Sequence, residues 1–228
     1  ATVVAYVERA LTQQDLAGRH VLITAGGTRE PIDPVRVISN RSTGKQGYAF
    51  AEEAWGRGAK VTLVTTVETP EPVGAHRVDV QTAADMQRAV EAVDDADIIV
   101  MAAAVADFRP ADPADHKIKK TDAAAPHIPH EKTHDFLIDL GEKKPDGQVL
   151  IGFAAETNDL LGNAQGKLER KKLDIIVAND VSQPGVGFAH ETNEVIIIQA
   201  DGSCQDVPLT DKRDVARLVL DTAANKLG

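Results

Sequence analysis

The run His20–Ala25, HVLITA, closed by Gly26-Gly27, limits what this chain can become more than any other stretch. A short, mostly apolar segment rich in β-branched residues and cut off by paired glycines predicts a buried strand entering a tight turn. Pro31 and Pro34 then exclude a helix or a central strand, and a dense polar set follows: Arg36, Ser39, Asn40, Arg41, Ser42 and Thr43. From Gly44 the apolar spacing turns helical through Tyr48, Phe50, Ala51, Ala54 and Trp55, until Gly56 and Gly58 stop it. A second strand ends at Thr66. Strand, polar loop, helix and strand in that order build a parallel pair in an α/β sheet.

A helix that opens under hydroxyl, amide and guanidinium groups is a place for an anion, because its first N–H groups have no internal partner and carry partial positive charge. Two named phosphate motifs are absent. Gly44-x-x-Gly47 lacks the lysine and serine/threonine pair of a P-loop, and Gly26-Gly27-Thr28-Arg29-Glu30 is not the dinucleotide fingerprint. Two readings stay open here, an anion site or glycines that only make a tight turn.

The rest of the chain repeats the alternation. Thr2–Leu11 predicts a short helix with Val3, Val4, Val7 and Leu11 on one side, packing as a lid. Arg77–Val80 predicts a strand, Ala83–Val93 an amphipathic helix with Met86, Val90 and Val93 inward, and Asp97–Ala104 a buried parallel strand. That last strand runs into Asp107, which is either a ligand-facing carboxylate at a strand's carboxyl end or a turn aspartate. Residues 110–132 hold few apolar side chains and the basic knot Lys117-Ile118-Lys119-Lys120; a loop of that length predicts a functional flap, or else a solvated basic face. Asp135–Glu142 and about 158–172 predict helices, the second with Lys167 and Lys171 one turn apart. Gln148–Phe153 and Leu173–Ala178 predict strands. Asp201-Gly202 predicts a hairpin turn, and Asp211–Leu227 a final helix capped by Thr210. The sum is a doubly wound, mostly parallel Rossmann-like sheet with helices on both faces and a C-terminal β-hairpin. Four strand ends are polar or glycine-rich, 26–44, 105–109, 152–157 and 178–182, and in a parallel sheet they converge on one edge.

Composition sets the outer limits. A chain of 228 residues suits one sizeable core. Its net charge of −10 disfavours a nucleic-acid backbone as partner, although a small anion needs only a local basic cluster. The one cysteine, Cys204, builds no disulfide within the chain and suits a reducing, cytoplasmic setting. No apolar run reaches membrane-spanning length. His116, His127, His130 and His134 lack the spacing of a zinc site.

The stretches ITAGGTREPIDPVRVISNRSTGKQG, AAAVADFRP followed by KIKK, IGFAAET and LDIIVANDVSQPGVGF, in this order, resemble the bacterial phosphopantothenoylcysteine synthetases of coenzyme A biosynthesis from His20 onward. The resemblance implies a single nucleotide-binding ligase domain over 1–228, with 110–132 as a mobile flap, excised from a longer bifunctional chain whose other half is a flavin-dependent decarboxylase. It implies joining of 4′-phosphopantothenate to cysteine with CTP and Mg²⁺, through an acyl-cytidylate, and a homodimer. By motif, Asn40 resembles the family's catalytic asparagine and Lys117 its catalytic flap lysine. The nucleotide site is then Met101, Ala102, Ala103, Asp107, Lys117, His134, Asp135, Phe136, Leu137, Phe153, Lys167 and Lys171. Asp107 faces the ribose or the metal, and Arg36, Asn40, Ser42, Gly44 and Gly47 contact substrate or phosphate. Lys132-Thr133-His134-Asp135 departs from the asparagine–proline pattern usual in that segment.

Two other functions are weighed on the same residues. A nicotinamide-dependent short-chain reductase needs an acidic residue at the end of the second strand and a tyrosine four residues before a lysine, yet the strand ends Val64-Thr65-Thr66 and Tyr48 is followed by Glu52. A non-catalytic nucleotide-binding module needs neither a flap lysine nor turnover.

Overall fold

The computed structural model describes residues 2–119, 127–182, 187–188 and 190–227. Its elements, in chain order, are α1 (Thr2–Leu11), β1 (His20–Ala25), β2 (Arg29–Pro31), β3 (Val37–Ser39), α2 (Lys45–Gly56), β4 (Lys60–Thr65), β5 (Ala75–Asp79), α3 (Ala83–Glu91), β6 (Ile98–Met101), β7 (Phe108–Pro110), β8 (His130–Lys132), α4 (Phe136–Lys143), β9 (Val149–Glu156), α5 (Leu160–Arg170), β10 (Ile175–Asp180), β11 (Thr192–Gln199), β12 (Cys204–Asp211) and α6 (Lys212–Ala224). Among the described residues eight strands form one sheet in the order β12-β11-β10-β9-β6-β1-β4-β5, parallel from β10 to β5. β11 is antiparallel to β10 and to β12, which gives the expected hairpin. The chain winds outward from β1 to β5 and returns on β1's other side as β6, so the order reverses between β1 and β6, where such sheets open a crevice.

Alternation along each strand divides the core into two layers. Val21 and Ile23 of β1, Val100 of β6, Ile151 of β9 and Val177 of β10 pack with Phe50 and Ala54 of α2 and Val215 and Val219 of α6. Leu22, Ile99, Leu150 and Ile176 point the other way, toward Met86 of α3, Phe136 of α4 and Ala164 and Leu168 of α5. Each large side chain removed from water in this way contributes about 1.5–3 kcal/mol, which is why continuous apolar runs become strands covered on both faces.

Two glycines let α2 sit where it does. Gly44, the residue before the helix, has φ of 80°, open to glycine at little cost. At Gly47 a Cβ would stand 2.6 Å from the Ala25 Cβ and 2.8 Å from the Thr24 carbonyl oxygen, so the helix rests directly on the end of β1. Gly47→Ala is therefore expected to destabilise the fold by about 1–3 kcal/mol through overpacking, read as a lower denaturation midpoint. An unchanged midpoint would show that α2 moves aside freely.

Four local expectations are corrected. The lid role of α1 fails: Val3, Val4, Val7 and Leu11 are exposed, Leu11 at 82 %, and the helix attaches by its other side. Tyr6 meets Trp55 edge-to-face at 5.1 Å and the Arg9 guanidinium lies 4.7 Å from that ring, so one aromatic platform outweighs the aliphatic stripe. The loop after Gly27 is partly ordered, because β2 and β3 pair antiparallel around a turn closed by Ile32 N–H donating to the Arg36 carbonyl at 2.8 Å. The 110–132 loop has an ordered base, the antiparallel β7–β8 pair, while Lys120 and 121–126 lie outside the described residues. Finally, Asp211 caps α6, its carboxylate accepting from Arg213 N–H at 2.7 Å, while the Thr210 hydroxyl donates to Asp214 Oδ2 at 3.1 Å instead.

Candidate active site

The carboxyl ends of β1, β6, β9 and β10 are neighbours in the sheet, and the polar clusters that follow them enclose a cleft of about 930 Å³. Asn40–Gly47 come from the β1 side, Met101–Asp107 from β6, Phe153 and Ala155 from β9, and Asn179 and Val181 from β10. Thr133–Leu137 and the α5 residues Lys167 and Arg170, with Lys171, close one flank. On the opposite flank stand Gly187, Phe188, His190, Asn193 and Lys212. Of the expected site residues, Asn40, Ser42, Gly44, Gly47, Met101, Ala102, Ala103, Asp107, His134, Asp135, Phe136, Leu137, Phe153, Lys167 and Lys171 all line this cleft.

The floor is fixed by threonines at the strand ends. Thr24 Oγ1 accepts from Ala103 N–H at 3.1 Å and Thr28 Oγ1 from Ala106 N–H at 2.9 Å, and Ala104 N–H donates to the Gly26 carbonyl at 2.8 Å. These bonds present the backbone of 101–106 as a rigid edge. Asn40 is tethered to it, its Nδ2 donating to the carbonyls of Ala104 at 3.2 Å and Val105 at 3.3 Å. Both bonds are long for N–H···O, so the amide turns toward a ligand at small cost. Beside it stands the start of α2, to which Gly44 supplies no side-chain cap.

Charge on the flank is arranged in pairs. Lys167 Nζ lies 2.6 Å from Glu156 Oε1, and Lys171 Nζ lies 2.8 Å from Asp135 Oδ2. His134 Nε2 lies 2.7 Å from Asp139 Oδ2, and this contact holds the Asp139 carboxyl below the usual range. The lysines are thus ordered before a ligand arrives and belong to a locally basic mouth on an acidic protein, which focuses anions inward. The Asp107 carboxylate is exposed and precedes β7, so it caps no helix.

Two expected residues stand elsewhere. Arg36 does not line the cleft; its Nε lies 3.0 Å and its Nη2 2.5 Å from Asp33 Oδ2, and Nη2 also donates to the Ile118 carbonyl at 3.0 Å. Lys117 is exposed, outside the lining, on a segment that the same cluster secures: Ile118 N–H donates to Asp33 Oδ2 at 3.1 Å. Arg36 beside Asp33 holds the Asp33 carboxyl well below the carboxylate range. Asp33→Ala is expected to free residues 117–119, making tryptic cleavage there about tenfold faster, because local opening governs such cuts. Unchanged cleavage would mean that the tether does not restrain the segment.

Reading the sequence missed two cleft-lining residues, Asn193 and Lys212, and the role of Glu156 as the partner of Lys167. Lys212, in the run Thr210-Asp211-Lys212-Arg213, has the look of a solvated helix start; instead it is 5 % exposed, and burial followed by the nearby Lys45 lowers its pKa to about 8. No local signal marks it, since its ammonium is held by residues more than twenty positions away, donating to the carbonyls of Gly187 at 2.9 Å and His190 at 2.6 Å.

Comparison with known proteins places this geometry. Residues 16–227 match the family model of the DNA/pantothenate metabolism flavoprotein C-terminal domain. The coenzyme A biosynthesis bifunctional protein CoaBC of Bacillus subtilis is 49 % identical over 93 % of this chain and 53 % of its own length. A cysteine/cysteine sulfinic acid decarboxylase from an unknown prokaryotic organism is 44 % identical over 92 % of this chain and 59 % of its own length. The chain therefore spans little more than half of these relatives. The crystal structure of the C-terminal domain of a CoaBC protein superposes with a TM-score of 0.79 at 40 % identity, covering 94 % of this chain and 98 % of that one. By sequence over nearly its whole length, the chain belongs to the DNA/pantothenate metabolism flavoprotein C-terminal domain family.

Proposed function

We propose that this chain is a phosphopantothenate–cysteine ligase, forming an amide between 4′-phosphopantothenate and cysteine in coenzyme A biosynthesis, driven by CTP. The observation that carries the reading is the cleft itself, which an uncharged amide, Asn40, lines together with the glycine-bounded start of α2 and the lysines Lys167 and Lys171, in a family whose members include CoaBC proteins. A carboxylate is a poor electrophile, and two anions must meet for it to be activated. Its oxygen attacks the α-phosphorus of CTP, pyrophosphate leaves, and the resulting acyl-cytidylate is attacked by the cysteine amine with release of CMP. Cations offset the repulsion in the first step, and neutral hydrogen-bond donors suit the second.

In this reading the rigid backbone edge at Met101, Ala102 and Ala103 reads the cytosine, with Phe153 and the 134–137 turn around the nucleoside. Lys167 and Lys171 exchange their carboxylate partners for phosphate oxygens. Lys117 reaches in from the flap when the nucleotide is bound, and Asn40 holds the acyl group. Among the described residues no group of three or more His, Cys, Asp or Glu side chains is placed to hold a metal. Magnesium needs no such cage, because it keeps several waters and takes phosphate oxygens, and one carboxylate in the cleft, Asp107, fits that mode. When bound, Mg²⁺ neutralises phosphate charge. A homodimer and a flavin-dependent decarboxylase domain in the same polypeptide belong to this proposal, the second supported by the bifunctional CoaBC relative. Incubation with CTP, Mg²⁺, 4′-phosphopantothenate and cysteine tests it: mass spectrometry is expected to find the acid and cysteine joined with loss of one water. No such product with either CTP or ATP would overturn it.

A further inference from the structure

The helix α1 is inverted. A surface helix ordinarily turns its aliphatic stripe to the core and its charges to water. In α1 the charges face the body of the protein: Arg9 donates to the Trp55 carbonyl and lies 4.7 Å from that ring, and the Glu8 carboxylate is 3.1 Å from Arg213 Nη1. Just past the helix, Gln14 Nε2 donates to the Gly56 carbonyl at 2.9 Å, and Tyr6 meets the Trp55 ring edge-to-face. These contacts fix the rotation of the helix about its axis. Val3, Val4, Val7 and Leu11, three and four residues apart and so on one face, are left between 53 and 82 % exposed.

A row of four aliphatic side chains exposes on the order of a few hundred Å², the scale at which surface patches begin to mark interactions. Three occupants compete for it. A lipid surface fits poorly, because a helix of ten residues whose one cation, Arg9, is turned inward offers no basic flank to headgroups. A second copy also fits poorly, since two such stripes together bury far less than the roughly 1,200 Å² of a stable interface between free partners. A domain on the same polypeptide needs much less area, because its tether raises the local concentration to about the millimolar range. The relatives are long enough to carry one. The Bacillus subtilis CoaBC protein is matched over 53 % of its length, and the CoaBC structure that superposes over 98 % of its own chain is a C-terminal domain. The other half of such a polypeptide lies on the amino-terminal side, where α1 opens.

We propose that the stripe of Val3, Val4, Val7 and Leu11 is the docking face for the domain that precedes this one in the intact polypeptide. α1 is then a fixed bracket between two domains and not a loose tether. The inference rests on the bifunctional reading above and is independent of the reaction catalysed. α1 meets α2 at Trp55 and Gly56, whereas Gly44 and Gly47 at the other end of α2 line the cleft, about 15 Å away along the helix. A domain docked on α1 therefore leaves the cleft open.

The test compares hydrogen–deuterium exchange over residues 3–11 in this 228-residue chain and in the intact polypeptide. Docking is expected to slow exchange there about tenfold or more in the intact polypeptide, and the pair Val4→Asp and Leu11→Lys to abolish the difference. In the 228-residue chain the same pair is expected to leave the denaturation midpoint unchanged, because both side chains are exposed. A lowered midpoint there would make the stripe part of this domain's own fold and overturn the inference. Exchange that slows in the 228-residue chain as its concentration rises would assign the stripe to a second copy, with the same consequence. The remaining outcomes separate the inference from the reading beneath it. An intact polypeptide with the mass of this chain alone would remove the bifunctional reading and the docking together, whereas equal exchange in a polypeptide of about twice that mass would overturn the docking alone.

Discussion

Asn40→Ala is expected to lower ligase turnover by about 100- to 1000-fold while leaving CTP affinity within about threefold, a loss typical of removing one aligned donor from a developing charge. The variant folds, because Asn40 is exposed and its two bonds to the Ala104 and Val105 carbonyls are long. The loss falls on the acyl group's chemistry, since the amide stands at the end of β6 rather than among the lysines of α5. Rapid-quench sampling with CTP and phosphopantothenate distinguishes the steps: the acyl-cytidylate either fails to form or persists without passing to cysteine. Full turnover in this variant would remove Asn40 from the reaction.

Lys117→Gln is expected to slow acyl-cytidylate formation by about 30- to 100-fold, with little change in stability, because the side chain is exposed and outside the cleft in the free protein. Its position in the structure makes a second demand. For Lys117 to act, the segment anchored by Asp33 and Arg36 at Ile118 must carry it inward, so nucleotide should protect residues 117–119 from trypsin in the parent protein. A pre-steady-state pyrophosphate burst of unchanged rate in Lys117→Gln would place this lysine outside the activation step.

The sheet was legible because its strands are continuous apolar runs ended by glycine or polar residues. β1, β6, β9 and β10 needed no tertiary information, and the convergence of their ends follows from parallel pairing alone. Three kinds of feature were not legible. The β2–β3 and β7–β8 pairs are three residues per strand and contain prolines, so their local signal is that of loops. The attachment of α1 depends on Trp55, whose ring captures Tyr6 and Arg9 from a helix whose aliphatic stripe points the other way. The burial of Lys212 depends on the carbonyls of Gly187 and His190, to which its Nζ donates, and a lysine at a helix start gives no hint that it will lose its water. Even the paired glycine pattern at α2 has a double meaning: Gly47 lines the cleft, yet its missing Cβ is demanded by Ala25 and Thr24 beneath it.

The most direct measurement is pyrophosphate release by the purified chain with Mg²⁺ and 4′-phosphopantothenate, comparing CTP with ATP in the presence and absence of cysteine. The account predicts release with CTP that requires phosphopantothenate, stops near one equivalent per site without cysteine, and becomes many turnovers when cysteine is added. Binding of CTP by calorimetry with no release under any of these conditions would contradict it and leave a nucleotide-binding module in place of a ligase.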